Sequence, residues 1–257
     1  MRSHIIDSLL IMVIVSVPMY FSKRPIIVDL AIQNALSRQP YYYLHITKTG
    51  GTAFLDSLRH GHCKDITMPH IPHTINAELL ALVSNKQPIT IIRHPIDRFL
   101  SSFYYWKYGS EDITGYRRSS TWKTADDIHS PEDFISVLRN PNHPRHQQLT
   151  TAINTKDQYT WNAHFQPQYD WVKNHTHRVH YICYNAHRLK DNINNKLRQL
   201  NVSCHIPLAQ INKSRHKRQS KSQLSAASIA WLKETYRQDF ELWQKHCDQH
   251  TPSAYWL

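Results

Sequence analysis

The stretch YYYLHITKTGGTAF, residues 41–54, decides how the rest of the chain is read. Its first half, residues 41–46, is aromatic and aliphatic, the composition of a buried strand. Thr47, Lys48, Thr49, Gly50, Gly51 and Thr52 follow, and residues 53–58 can open a helix. Two of the chain's five glycines sit side by side here. In a chain so short of glycine, such a pair between a strand and a helix marks a turn whose backbone must come close to something. A strand–loop–helix turn offers unpaired backbone N–H groups and the positive end of a helix dipole, which together hold a phosphate. Lys48 adds a mobile charge, and Thr49 and Thr52 add hydroxyl donors. The order is not that of a Walker loop, in which Gly-Lys-Ser/Thr closes the motif. Here Lys48 precedes the glycines, which disfavours a magnesium-dependent nucleoside-triphosphate site.

A second stretch carries the same kind of turn. Residues 88–92, PITII, form another short apolar run that leads into Arg93-His94-Pro95-Ile96-Asp97-Arg98-Phe99-Leu100-Ser101. Arg93 is expected at the carboxyl end of that strand, where open α/β sheets bind ligands. Pro95 and Asp97 suit the first turn of a helix. Ser101 falls two turns on, on or near the face that looks back at Arg93. An arginine fork and a hydroxyl converging from one strand–helix junction make a second phosphate site. Together the stretches predict a ligand whose two separate phosphates bridge two βα junctions.

With both stretches in view, the chain resembles a known family. HITKTGGTAF is similar to the 5′-phosphosulfate loop of the Golgi carbohydrate sulfotransferases, commonly HxPKTGGTS, and RHPIDRFLSSFYYWKYG to their 3′-phosphate motif, RDPxxRxxSxYYxxR. The likeness is nearest to the uronyl and heparan sulfate 2-O-sulfotransferases and, for the first motif, to the 6-O-sulfotransferases. Ala53 stands where the family has Ser or Thr, which removes one hydroxyl donor and leaves the backbone N–H. His94 stands where the family has Asp, beside the motif's arginine. HFQPQYDWV, INKSRH and YRQDFELW extend the resemblance over residues 41–247. It implies an α/β fold with a P-loop-kinase-like central parallel sheet flanked by helices, in a single catalytic domain after an N-terminal hydrophobic anchor. It also implies 3′-phosphoadenosine 5′-phosphosulfate as sulfuryl donor, no metal, and a hydroxyl of an acidic, glycosaminoglycan-like polysaccharide as acceptor. In that reading the backbone N–H groups of Thr49, Gly50, Gly51, Thr52 and Ala53, with Lys48, hold the 5′-phosphate. Arg93 and Ser101 hold the 3′-phosphate.

Length and charge set the outer bounds. The 257 residues suffice for one α/β domain with a real core. A formal charge of +12 with histidines neutral points to an anionic partner, and on charge alone nucleic acid, an anionic membrane and an acidic polysaccharide all qualify. The resemblance selects the polysaccharide, with no nucleic acid expected. Residues 5–21 are almost wholly apolar, interrupted by Asp7 and Pro18 and flanked by Arg2 and Lys23-Arg24. The run is short of the ~20 residues of a spanning helix, and a cleaved signal peptide is its close rival. The resemblance implies a single-pass type II Golgi membrane anchor over residues 1–24, a stem over 25–40, a lumenal sulfotransferase domain over 41–247 and a tail over 248–257. Cys63, Cys183, Cys204 and Cys247 are even in number and lack zinc spacing, so up to two disulfides are open, in any of three pairings. Sequons at Asn174, Asn201 and Asn212 fit the same compartment, although Asn212 lies where the cofactor is expected.

Sulfuryl transfer to an alcohol needs a base, because a hydroxyl is a poor nucleophile until its proton is taken. Between the two motifs lies HGHCKDITMPHIPHTINAELL, with His60, His62, His70 and His73 as candidates. His70 is preferred: it ends a presumed strand over residues 65–68, which puts it at the same sheet edge as Lys48 and Arg93. His70-Ile71-Pro72 also matches the HxP form of the segment that supplies the family's base, and His73 is the reserve. Over residues 103–123 aromatics interleave with bases, among them Tyr104, Tyr105, Trp106, Lys107, Tyr116, Arg117 and Trp122. They suit sugar rings and acidic groups, and for residues 103–106 an amphipathic helix packing its aromatics inward fits equally well.

The last third holds a strand over residues 178–184, a helix over 189–200 and a basic loop over 211–221. The family's corresponding loop closes over the nucleotide, so Ser214 and Lys217 are candidate additions to the 3′-phosphate site. A single long helix over 225–246 follows, with Ile229, Leu232, Tyr236, Phe240 and Trp243 on its core face. Two other classes share these features. A magnesium-dependent nucleotide or polynucleotide kinase shares the fold and basic cleft. An inactive, lectin-like binder of acidic glycans keeps the aromatics and the charge, and the departures at Ala53 and His94 leave room for it.

Overall fold

Four short apolar runs, widely separated along the chain, pair into one parallel sheet. The computed structural model describes residues 40–60, 63, 65–67, 86–108, 127–154, 162–174, 176–203 and 224–248. Strands β1 (Tyr41–Tyr43), β2 (Ile66–Thr67), β3 (Gln87–Ile92) and β4 (His180–Cys183) lie in the order β2-β1-β3-β4. All three pairings are parallel, with Tyr42 opposite Thr67 on one side and Pro88 on the other, and Ile91 opposite Ile182. Around the sheet pack α1 (Gly51–His60), α2 (Pro95–Tyr108), α3 (Pro131–Arg139), α4 (His146–Asn154), α5 (Asn162–Phe165), α6 (Leu189–Gln199), α7 (Ala226–Thr235) and α8 (Arg237–Cys247). A 3-10 turn covers Tyr169–Trp171.

The order of the strands positions the site. From β1 the chain passes to β2 on one side, and then to β3 and β4 on the other. Among the described strands the direction of winding therefore switches between β1 and β3, and the crevice outside the carboxyl ends of such a pair is where open α/β sheets bind ligands. The turns after these two strands carry the two motifs. β1 is shorter than the apolar run over 41–46 predicts, because past Tyr43 only the Leu44 N–H continues the ladder, donating to the Ile89 carbonyl at 2.9 Å.

Side chains alternate across the sheet with the two-residue period of a strand. Tyr43, Ile89, Ile91 and Ile182 meet Phe54 and Leu58 of α1 and Ile193 and Leu197 of α6 on one face. On the other, Tyr42, Leu44, Ile92 and Tyr181 meet Trp171 and Val172 and, from α8, Leu242 and Trp243. Each fully buried isoleucine stabilises the fold by about 1.5–3 kcal/mol. A third cluster is aromatic: Phe99, Phe103 and Trp106 of α2 surround Phe134 of α3, with Phe165 stacked on Phe134 at 5.3 Å. The aromatic run after residue 102 thus divides. Phe103, Tyr104 and Trp106 are buried in this core, whereas Tyr105 is half-buried; residues 109–126 lie outside the described set.

One expectation is corrected here. The helix predicted over 225–246 is two helices, α7 and α8, broken at Tyr236, whose backbone sits at φ −110° and ψ 27°. The break follows from its side chain: buried Tyr236 donates its hydroxyl to the Phe165 carbonyl at 2.8 Å. It lets α7 pack on α2 and α3 while α8 turns onto β4. A disulfide between Cys183 and Cys247 ties the end of β4 to the end of α8 across a sequence separation of 64. Closing a loop of that length in the unfolded chain stabilises by about 4 kcal/mol in the chain-entropy model. Cys63 is disulfide-bonded too, to a partner outside the described residues. No helix among the described residues is long and apolar enough to cross a membrane, and residues 1–39 fall outside that set.

Candidate functional site

The turn after β1 is shaped by backbone and packing. Lys48 adopts φ 63° and Gly50 φ 90°, so the chain enters the left-handed region twice in three residues. For Gly50 that conformation is free of steric cost, and for Lys48 it is uncommon. A Cβ on Gly50 would lie 2.9 Å from the Tyr184 ring. One on Gly51 would lie 2.5 Å from the Tyr43 hydroxyl oxygen and closer still to the His45 ring. Thr49 is fully buried and its hydroxyl donates to the Ile46 carbonyl at 2.8 Å. That corrects its expected role as a hydroxyl donor to a ligand: the group closes the turn. Thr52 is exposed and Ala53 half-buried in the first turn of α1.

At this terminus the chain presents backbone N–H groups without partners inside the helix. The first bond inside α1 runs from the Phe54 N–H to the Gly50 carbonyl, so the N–H groups of Gly51, Thr52 and Ala53 have no intrahelical acceptor. The first turn carries no acidic side chain to occupy them. The Lys48 ammonium, three residues before α1, lies 3.7 Å from the centroid of the Tyr105 ring.

The turn after β3 is braced by side chains from distant parts of the chain. Gln168 holds the Arg93 backbone at both ends: its Oε1 accepts from the Arg93 N–H at 2.9 Å and its Nε2 donates to the Arg93 carbonyl at 2.8 Å. Gln168 is held in turn by Asp239 of α8, whose carboxylate accepts from the Gln168 and Tyr169 N–H groups, both at 2.8 Å. Anchored this way, the Arg93 guanidinium lies 4.4 Å from the Tyr184 ring centroid, and its Nη1 donates to the Lys48 carbonyl at 3.3 Å. The two turns therefore touch, with Tyr184 packed against both. Ser101 is buried on α2 and makes no hydrogen bond from its hydroxyl among the described residues. Its neighbour Ser102 lies 2.6 Å from the His164 carbonyl and 3.0 Å from that of Arg98.

The sequence marks Arg98 only as part of a motif, and the structure gives it a definite task. Its side chain is 2 % exposed, and it stitches the first turn to α5. Nε donates to the Thr47 carbonyl at 2.9 Å, Nη1 to the Gln166 carbonyl at 2.7 Å and Nη2 to the Ala163 carbonyl at 3.2 Å. The Thr47 hydroxyl also donates to Ala163, at 2.5 Å. Burial lowers the Arg98 pKa, and the charge of Asp239 opposes that. Burial likewise pushes the Asp239 carboxyl up, while Arg98 and the two backbone N–H groups pull it down.

His94, in place of the family's aspartate, turns away from the crevice. Its ring is buried between Phe240 at 5.5 Å and Trp243 at 5.8 Å, both edge-on. The substitution thus changes aromatic packing against α8. Among the predicted site residues, Lys48, Thr49, Gly50, Gly51, Thr52, Ala53 and Arg93 come together at the carboxyl edge, and Ser101 lies two turns into α2. His70 and His73 lie outside the described residues, as do Ser214 and Lys217; β2 runs parallel beside β1, so the chain leaves Thr67 at the carboxyl edge. Gln168 and Asp239 were missed as individuals. Both sit inside stretches that carried the family likeness, HFQPQYDWV and YRQDFELW, and that likeness was the signal available.

Comparison with curated proteins and with solved structures finds no match to this chain. A model of one protein family does match, over residues 39–246, from just before β1 into the last turn of α8. The match spans both turns, the residues that brace them and the whole described sheet, so the chain belongs to the sulfotransferase family.

Proposed function

We propose that the protein moves the sulfuryl group of 3′-phosphoadenosine 5′-phosphosulfate to a hydroxyl of an acidic, glycosaminoglycan-like polysaccharide. One observation carries the reading. Arg93 Nη1 reaches the Lys48 carbonyl at 3.3 Å, which sets the turns after β1 and β3 side by side at the switch point of the sheet. A donor with phosphates at both ends of one nucleoside needs such a pair. The unoccupied N–H groups at the start of α1 fit close approach of the 5′-phosphate.

In this mechanism the N–H groups of Thr49, Gly50, Gly51, Thr52 and Ala53 and the ammonium of Lys48 hold the 5′-phosphate. Arg93 and Ser101 hold the 3′-phosphate. His70 takes the proton of the acceptor hydroxyl as its oxygen bonds to sulfur. The bond from sulfur to the bridging oxygen breaks in line, and adenosine 3′,5′-bisphosphate leaves with the electron pair. Lys48 meets the charge that develops on that oxygen, a kind of preorganised stabilisation that contributes about 3–4 kcal/mol per donor.

The acidic acceptor is supported by the formal charge of +12. The Cys183–Cys247 disulfide supports an oxidising compartment, and with the apolar run over residues 5–21 it favours a type II anchor in the Golgi membrane with this domain in the lumen. Kinship of the sheet with that of nucleotide kinases belongs to the same proposal. The test is transfer of radiolabelled sulfate to a panel of glycosaminoglycans, beside titration of adenosine 3′,5′-bisphosphate against ATP with and without magnesium. Sulfate incorporation and a preference for the bisphosphate are expected. Preferential binding of magnesium-ATP would replace the reading with a kinase, and bisphosphate binding without transfer to any glycan would replace it with an inert binder. Within a working enzyme, His70→Ala should lower turnover about 10²–10⁴-fold and leave bisphosphate affinity unchanged; normal turnover would exclude this histidine as the base.

A further inference from the structure

We propose that Tyr105 is a positioning residue for Lys48, holding its ammonium ready beside the start of α1 for the incoming 5′-phosphate. The inference rests on the sulfuryl-transfer reading above and names a residue that neither motif specifies. In RHPIDRFLSSFYYWKYG, Phe103 and Tyr104 occupy the two aromatic positions of the family pattern, and Tyr105 falls on an unassigned one.

The geometry sets Tyr105 apart from its neighbours. Phe103, Tyr104 and Trp106 are buried in the aromatic core, whereas the ring of Tyr105 is half-buried and faces the first turn. Lys48 Nζ lies 3.7 Å from its centroid, within the range of a cation–π contact. The ring is itself braced, lying 4.9 Å from that of His164 at a tilt of 33°. The His164 backbone is fixed in turn, since Ser102 of α2 reaches its carbonyl at 2.6 Å. A lysine ammonium rides on a flexible four-carbon stem, and binding an anion ordinarily costs the freedom of that stem. Lys48 has already lost part of that freedom. Its backbone is fixed at φ 63° and its tip is held against a braced ring, so the charge is in place before the anion arrives. The attraction uses the negative face of the ring and not the hydroxyl, so phenylalanine should serve as well.

The test is isothermal titration of adenosine 3′,5′-bisphosphate into the wild type, Tyr105→Phe, Tyr105→Leu, Lys48→Ala and the Lys48→Ala/Tyr105→Leu double variant. A further sample carries pentafluorophenylalanine at position 105, which keeps the ring's shape and reverses the sign of its face. We expect Tyr105→Phe to bind like the wild type. Tyr105→Leu and the fluorinated ring should bind about three- to tenfold more weakly. The double variant should bind no more weakly than Lys48→Ala alone. Should Tyr105→Leu not fold, the fluorinated sample against Tyr105→Phe decides the question at constant shape. Wild-type affinity in the fluorinated sample, an equal loss in the Lys48→Ala background, or tighter binding by Tyr105→Leu would each overturn the proposal, the last by showing that the ring withholds the ammonium. Absence of bisphosphate binding by the wild type would overturn the donor reading and this inference together.

Discussion

The turns after β1 and β3 face the same crevice and are built on opposite plans. The first is made of backbone: two residues with positive φ, two glycines with no room for a Cβ, and a threonine whose hydroxyl is used within the turn. The second is made of side chains: an arginine whose backbone is clamped by Gln168, itself clamped by Asp239 from the far end of the chain. A backbone cradle tolerates almost no change in shape, and its remote support, Arg98 on Thr47, holds its entrance and not its glycines. A side-chain fork tolerates changes in shape and depends on remote bracing. Substitutions should therefore act steeply and locally in the first turn, and by degrees in the second.

The steepest effect should come from Gly51→Ala. The new methyl would overlap the His45 ring and lie 2.5 Å from the hydroxyl of Tyr43, which is 2 % exposed and packed edge-on against Phe54 at 4.6 Å. The His45 ring must give way, and because Tyr43 is packed in place the start of α1 should shift as well. A shift of about 1 Å in a positioned group costs on the order of 10² in rate, and overpacking costs about 1–3 kcal/mol of stability. Sulfate transfer should fall at least a hundredfold, and a thermal melt should show the lost stability. If Gly51→Ala retains a tenth of wild-type transfer, the first turn is more compliant than its geometry implies, and the contrast between the turns fails.

Arg93→Ala comes next. Loss of a charged partner of a phosphate costs about 2–5 kcal/mol. Its specific mark is selectivity: the wild type should prefer adenosine 3′,5′-bisphosphate to 5′-AMP, and the variant should bind both alike. Gln168→Leu tests the bracing without touching the guanidinium. It removes the Gln168 side-chain bonds to the Arg93 N–H and carbonyl in a part-buried place, which costs about 1–3 kcal/mol. Calorimetry should show a partial loss of the same selectivity, with 5′-AMP affinity unchanged. Equal weakening toward both nucleotides would mean that Gln168 supports the crevice as a whole and not the second turn.

How much of this was legible in the sequence follows the same division. A backbone turn announces itself locally, because Gly50-Gly51 between an apolar run and a helix can be read within fourteen residues, 41–54. Arg93 was legible for the same reason, standing at the end of PITII. The bracing was not. Gln168 meets Arg93 across 75 positions and Asp239 meets Gln168 across 71, and no periodicity links residues so far apart. The break at Tyr236 was hidden because the apolar spacing runs through it unchanged. It is set by a hydroxyl bonded to a carbonyl 71 positions away. The motif places His94 beside Arg93. Only the packing of Phe240 and Trp243 shows that it faces the other way.

The smallest effect belongs to Ser101, and the residue after it makes the effect interpretable. Ser101 and Ser102 are adjacent on α2 and both buried, and sequence alone does not say which hydroxyl meets a ligand. The structure separates them. The Ser102 hydroxyl lies within hydrogen-bonding reach of the His164 and Arg98 carbonyls, while that of Ser101 has no bond among the described residues. A hydroxyl held in reserve for a phosphate should contribute about 1–1.5 kcal/mol to its binding and almost nothing to folding. Ser101→Ala should therefore lower the preference for the bisphosphate over 5′-AMP about five- to tenfold and leave the melting temperature in place. Ser102→Ala should do the reverse, lowering the melting temperature while the preference stays. Titration and thermal melts on the two variants read both quantities. If Ser101→Ala lowers stability and leaves the preference intact, its hydroxyl belongs to the fold, and Arg93 holds the 3′-phosphate without it.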